Sequence, residues 1–173
     1  DGAGVVQSID VLRSFIEMDI APKHTLRCVL YMNEENGNRG GKTYAEKVKI
    51  EGETHIFALE SDRGGFSPRG YSIDGSPSQL KKIQSFQKLL KPYQLHIFDK
   101  GYSGVDISPL KNGTTCLVGL VPDSQRYFDF HHAPTDVFEN VNKRELELGA
   151  AAITSMIYLV DKYGFSAPIY NKK

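Results

Sequence analysis

The chain has 173 residues, a length that fits one ordinary domain. At 40% hydrophobic and 24% charged it is not a disordered polyelectrolyte. Its 21 Lys and Arg residues balance 21 Asp and Glu residues, so no general attraction to nucleic acid or anionic membrane is expected, and no apolar run is long enough to span a membrane.

The first element follows at once. Val5, Ile9, Leu12 and Ile16 keep helical spacing and predict a helix over 4–18. A helix starting so early, with no initiator Met, reads as part of a longer chain. Residues 24–32, HTLRCVLYM, are short, apolar and followed by turn residues, and predict a strand. A short helix is expected around GKTYAEKVK, and HIFALES at 55–61 predicts a second strand. DRGGFSPRGYSIDGSPS carries so much Gly, Pro and Ser that it reads as loop. A helix then covers SPSQLKKIQSFQKLLKP, with Leu80, Ile83, Phe86 and Leu90 on one face, Pro77 in its first turn and Pro92 at its end. QLHIF is a short candidate strand. TTCLVGLVP at 114–122 is apolar almost throughout and predicts a strand buried on both faces. The longest helix is expected over 143–163, capped by Asn142 with Glu145 and ended by Gly164.

Strands alternating with helices, with apolar strands throughout, imply an α/β layer fold with helices on both sheet faces. Cys28 and Cys116 sit inside apolar runs and read as buried free thiols rather than a disulfide.

In open α/β sheets, sites gather beyond the carboxyl ends of the strands. Three polar clusters follow strands here: NEENG with Glu34 and Glu35, ESDRGG with Glu60 and Asp62, and DFHHAPTD with His131, His132 and Asp136. Each alone has an ordinary reading, as a solvated turn, a cap or a surface histidine. Together, carboxylates and imidazole at one rim suit zinc. One of the two adjacent acids would then bind the metal and the other would take a proton.

The stretches LYMNEENGNRGGKTYAE, ALESDRGGFSPRGY and FHHAPTDVFENVNKRELELGAAA resemble the zinc aminopeptidases and carboxypeptidases with two co-catalytic metals, of the bacterial leucyl aminopeptidase and plasma glutamate carboxypeptidase type. The resemblance covers essentially the whole chain. It implies a three-layer α/β/α sandwich with a mixed, mostly parallel sheet, and an exopeptidase acting on peptides. It implies Glu34 as general base and Glu35, Asp62 and His132 as zinc ligands, with Asp136 orienting His132. DGAGVV resembles the segment after the metal-bridging Asp, with Asp1 matching the second of two adjacent Asp residues. The bridging Asp and an earlier His ligand would then lie upstream, residues 1–173 would form the C-terminal part of a single catalytic domain, and this piece alone would be inactive. Two zinc ions are expected in the complete protein, and export to the periplasm or outside the cell is implied by resemblance.

The loop at 99–113 resembles the substrate-side loop of that family and offers Tyr102, Ser103, Asp106 and Ile107 as pocket candidates. Phe66 and Arg69 are further candidates, Arg69 for a substrate carboxylate. Two other functions stay open on these residues: a glutaminyl cyclase-like acyltransferase with a single zinc, and an inactive interaction domain.

Overall fold

The computed structural model describes residues 2–165. Helix α1 spans Gly2–Glu17, α2 spans Arg39–Ile50, and strands β1 and β2 are Phe57–Glu60 and Pro68–Asp74. Then come α3 (Pro77–Ser85), a single turn α4 (Gln87–Leu90), β3 (Ile97–Lys100), β4 (Cys116–Pro122), a single turn α5 (Tyr127–Phe130) and α6 (Lys143–Tyr163).

The four strands form one mixed sheet in the order β1-β4-β2-β3. β1 runs parallel to β4 and β2 parallel to β3, while β2 and β4 are antiparallel. β4 is central, and six of its seven residues are buried, as its unbroken apolar run requires. The larger core lies on one sheet face, where Tyr71, Ile73, Val118 and Leu120 meet Val11 and Phe15 of α1, Ile83 of α3, and Ile153 and Met156 of α6. On the other face Leu117 packs with Ile107 and Leu110, covered by Tyr44, Ala45 and Val48 of α2. Helices on both faces make the chain an α/β sandwich with one well-filled layer and one thin one.

Local chemistry accounts for the helix ends. Ser76 accepts from the Gln79 backbone N–H at 3.3 Å while the Gln79 side chain accepts from the Ser76 N–H at 2.8 Å, a reciprocal cap with Pro77 behind it. Asn142 caps α6 by accepting from the Glu145 N–H at 3.0 Å. Glu145 does not complete the box; its carboxylate bonds Ser67 at 2.8 Å and Arg126 at 2.8 Å.

Three expectations need correction. Residues 68–74 are a strand, not loop. The Gly- and Ser-rich composition hid an alternation in which Tyr71 and Ile73 are fully buried and Ser72 and Asp74 are not. Gly70, at φ 149°, takes up the register shift of β2 against β4 and lies against the backbone of Ile97 in β3, where any side chain would collide. The helix expected over 76–92 breaks at Phe86 into α3, α4 and a 3₁₀ turn. Residues 24–32 form no strand: no backbone hydrogen bond joins 25–31 to a neighbour among the described residues. Both cysteines are free; Cys116 is buried, its thiol pushed up to about 12 by burial, and Cys28 is only half-buried.

Candidate metal centre

The polar clusters gather at the rim where β1 and β4 end. Glu34 and Glu35 sit in a turn after residue 32, folded by hydrogen bonds from the Gly37 and Asn38 N–H groups to the Glu34 carbonyl at 3.1 and 2.8 Å. Asn33 and Asn38 take positive φ there, which Asn tolerates well. Asn38 then donates its side-chain amide to the Val105 carbonyl at 2.7 Å, tying this turn to the 104–107 loop.

His132 lies on the loop after α5, also at positive φ. Its Nε2 stands 2.7 Å from Glu35 Oε1, and its ring stacks on His131 at 4.1 Å between centroids. Two groups from distant loops thus converge on one point. Among the described residues no hydrogen bond joins Asp136 to His132, so the ring is oriented by Glu35 and by stacking instead. Asp62, just past β1, completes the rim. Its carboxyl is raised above the usual range by burial first and then by the charges of Glu34 and Glu35.

The structure separates the two acids of ESDRGG. Asp62 faces the acidic rim, whereas Glu60 is buried and turns into the protein. Its two oxygens accept the backbone N–H groups of Val105 at 3.1 Å and Ile107 at 2.9 Å. Gly104, at φ 142°, leaves the space that this carboxylate fills. Glu60 is therefore a clamp on the 104–107 loop, a role that sequence reading missed; the acid-then-glycine pairing at a distance of 44 residues carries no local signal. Burial pushes the Glu60 carboxyl up to about 7, opposed by the Ile107 N–H and helped by Asp106 and Asp62. Asp106 is pushed up to about 6 by burial first and then by Asp62 and Glu34, and its Oδ1 is buried without a hydrogen-bond partner.

The remaining candidates divide. Ser103 is buried with its hydroxyl unpartnered, and Tyr102 is exposed. Phe66 packs beside Phe130 at 5.8 Å under the Arg126 guanidinium. Arg69 is already engaged by Asp123 at 3.0 Å and Gln94 at 2.9 Å, which leaves its fork committed to protein partners.

The donor set is suited to a divalent cation but is partial. Glu35 and His132 converge, and Asp62 is held against the repulsion of Glu34 and Glu35, only partly offset by Arg63. Among the described residues no group of three or more His, Cys, Asp or Glu side chains is arranged to hold a metal.

With this geometry in view, comparison with known proteins decides the family. The profile of peptidase family M28 matches residues 1–157. The chain belongs to peptidase family M28. It is 29% identical to carboxypeptidase Q of Bos taurus and 30% identical to that of Xenopus laevis, each over 92% of this chain and 34% of the relative. The crystal structure of a peptidase M28 precursor from Shewanella amazonensis SB2B superposes with a TM-score of 0.85 at 29% identity, covering 93% of this chain and 37% of that one. The chain thus spans about a third of the length of the curated relatives it matches. The mixed, mostly parallel sheet with its helices is the M28 peptidase fold. Among the described residues no helix is long and apolar enough to cross a membrane.

Proposed function

We propose that this chain is the C-terminal part of the catalytic domain of a zinc-dependent exopeptidase, and that the complete protein hydrolyses terminal peptide bonds. The observation that carries the proposal is the approach of His132 to Glu35 across 97 residues of sequence, beside Glu34 and Asp62. An imidazole and a carboxylate brought together at a strand-end rim, in a member of a peptidase family, are the start of a ligand set.

In this reading Glu35 and His132 hold one zinc and Asp62 a second, with the remaining ligands supplied from outside residues 1–173. Bound zinc supplies a Lewis acid that polarises a carbonyl and acidifies water. Glu34 accepts the proton of the attacking water at its carboxylate and delivers it to the departing amine. Tyr102, Ser103 and Asp106 stand on the substrate side of the rim, on the loop clamped by Glu60. The Arg69 fork, held by Asp123, contributes to that side only by ordering the chain around β2. The substrate is a peptide, the complete protein is exported, and the 173-residue piece alone has no turnover because its ligand set is partial.

The test is hydrolysis of dipeptides and aminoacyl substrates by the longest natural polypeptide, before and after chelation and after zinc is restored. Loss on chelation and recovery with zinc are expected. Unchanged hydrolysis in chelator, or none in the zinc-loaded protein, would overturn the reading.

A further inference from the structure

Two asparagines of the chain precede glycine, Asn36 before Gly37 and Asn112 before Gly113. The glycines are matched. Both lie at positive φ, 103° and 85°, and a side chain added at either would meet nothing within 4 Å. Both asparagines are exposed. Water therefore reaches both pairs, and no neighbour shields either glycine.

The asparagine side chains differ. Asn112 Oδ1 accepts three hydrogen bonds at 2.9 Å, from the Thr114 N–H, the Thr114 hydroxyl and the Thr115 N–H. Asn36 follows Glu35 in the turn at the acidic rim, and among the described residues its side chain makes no hydrogen bond.

An asparagine before glycine carries an electrophile and a nucleophile within reach of each other. A bond from the next backbone nitrogen to the asparagine Cγ closes an imide ring, and glycine has no Cβ to crowd that approach. One contact opposes the reaction at Asn36: the Gly37 N–H donates to the Glu34 carbonyl at 3.1 Å. That carbonyl also takes the Asn38 N–H at 2.8 Å, so releasing Gly37 leaves it paired. At Asn112 ring closure has to move an oxygen that three donors hold in place.

We infer that Asn36 is a site of spontaneous deamidation, and that Asn112 is protected by its own turn. The Gly37 nitrogen gives its proton to water or hydroxide and bonds to Asn36 Cγ; the bond from Cγ to Nδ2 breaks, and ammonia leaves. Water then opens the imide at one of its two carbonyls. Opening at Cγ leaves an ordinary aspartyl residue. Opening at the main-chain carbonyl leaves an isoaspartyl link, in which the chain runs through Cβ and Cγ and is longer by one atom. Either product adds a negative charge to the turn that carries Glu34 and Glu35. The isoaspartyl link also lengthens that turn and draws Glu35 away from His132, now 2.7 Å distant. The consequence for zinc binding rests on the proposed function; the modification does not.

Ageing of the natural protein at neutral and mildly alkaline pH tests it, with peptide mapping by mass spectrometry to count conversion of amide to acid at each pair. In the folded protein Asn36 is expected to convert at least about tenfold faster than Asn112, since hydrogen bonds restrain only the second side chain. In concentrated urea the two should convert at similar rates. Asn36→Gln, whose longer side chain closes a ring far less readily, should remove the fast event. Equal rates in the folded protein, faster conversion at Asn112, or an intact Asn36 after ageing that converts the urea sample would overturn the inference. A preference for Asn36 that persists in urea would overturn the protective role of the Asn112 turn. The link to the rim is read with ring-labelled histidine: His132 resonances should shift in the isoaspartyl fraction and much less in Asn36→Asp, which adds the charge without lengthening the turn. Unmoved His132 resonances in the isoaspartyl fraction would overturn that link.

Discussion

His132 Nε2 and Glu35 Oε1 lie 2.7 Å apart although 97 residues separate them in the chain. Both side chains are more than half exposed, so the pair holds the two loops only weakly. Exposed ion pairs contribute about 0–1 kcal/mol. Under the proposed function the two side chains are zinc ligands, and their exposed contact is not a structural tie. His132→Ala is accordingly expected to leave the melting temperature of the metal-free protein nearly unchanged. The same substitution should weaken zinc binding in the longest polypeptide at least about tenfold. Metal analysis after dialysis, set beside thermal melts, separates the two effects. A large loss of metal-free stability with zinc content intact would mark the pair as structural.

Glu34 occupies the neighbouring position with a different task. If it moves the proton and does not hold the metal, Glu34→Gln should keep zinc stoichiometry and slow turnover by about 10²–10⁴-fold. Lowered zinc content would move Glu34 into the ligand set. Unchanged turnover would remove it from the chemistry.

The Glu60 clamp is a stability prediction. Glu60→Ala strands the buried N–H of Ile107, at about 1–3 kcal/mol, and leaves the part-buried N–H of Val105 to water. Denaturant unfolding of the 173-residue chain should show a midpoint clearly below that of the parent. Glu60→Gln keeps one oxygen acceptor and should lose less. Equal behaviour of the two variants would show that the loop does not depend on these bonds.

Much of the fold and of the rim is legible in the residues, for identifiable reasons. β4 is an unbroken apolar run and α6 is long, patterned and capped, so their local signals agree with their tertiary surroundings. The polar clusters that follow β1 and β4 foretell their end of the rim, while the NEENG turn reaches it from a segment that is not a strand. β2 escapes a sequence reading because its alternation spans only four residues inside a Gly- and Pro-rich stretch, and its identity depends on pairing with β3 and β4. Residues 24–32 mislead in the opposite sense. Their apolar pattern is that of a strand, but a strand needs a neighbour, and none of the described residues supplies one. Asp1, matched by resemblance to the acid beside the bridging ligand, lies outside the described residues. The Glu60 clamp and the Asn38 tie join positions far apart in sequence, and nothing local marks such pairs.

The raised carboxyls give the last prediction, and its sign follows from linkage. Glu60 has a folded value of about 7 against 4.5 for the unfolded chain, and Asp106 about 6 against 3.8. Between these values the folded chain binds more protons than the unfolded one, so stability falls as pH rises. The favourable contribution of protonated Glu60 is fully present below pH 4.5 and is lost as pH passes through about 7. In the metal-free chain Glu60→Gln cannot titrate and should lack this part of the slope. The stability of the parent relative to Glu60→Gln is then expected to decline from pH 4.5 to 7.5 by about 2–3 kcal/mol, because each tenfold difference in proton affinity between the two states is worth roughly 1.4 kcal/mol. Urea unfolding of both proteins across that range reads the difference directly. A constant difference would mean that Glu60 is ionised throughout, with its charge carried by the two backbone N–H groups despite burial.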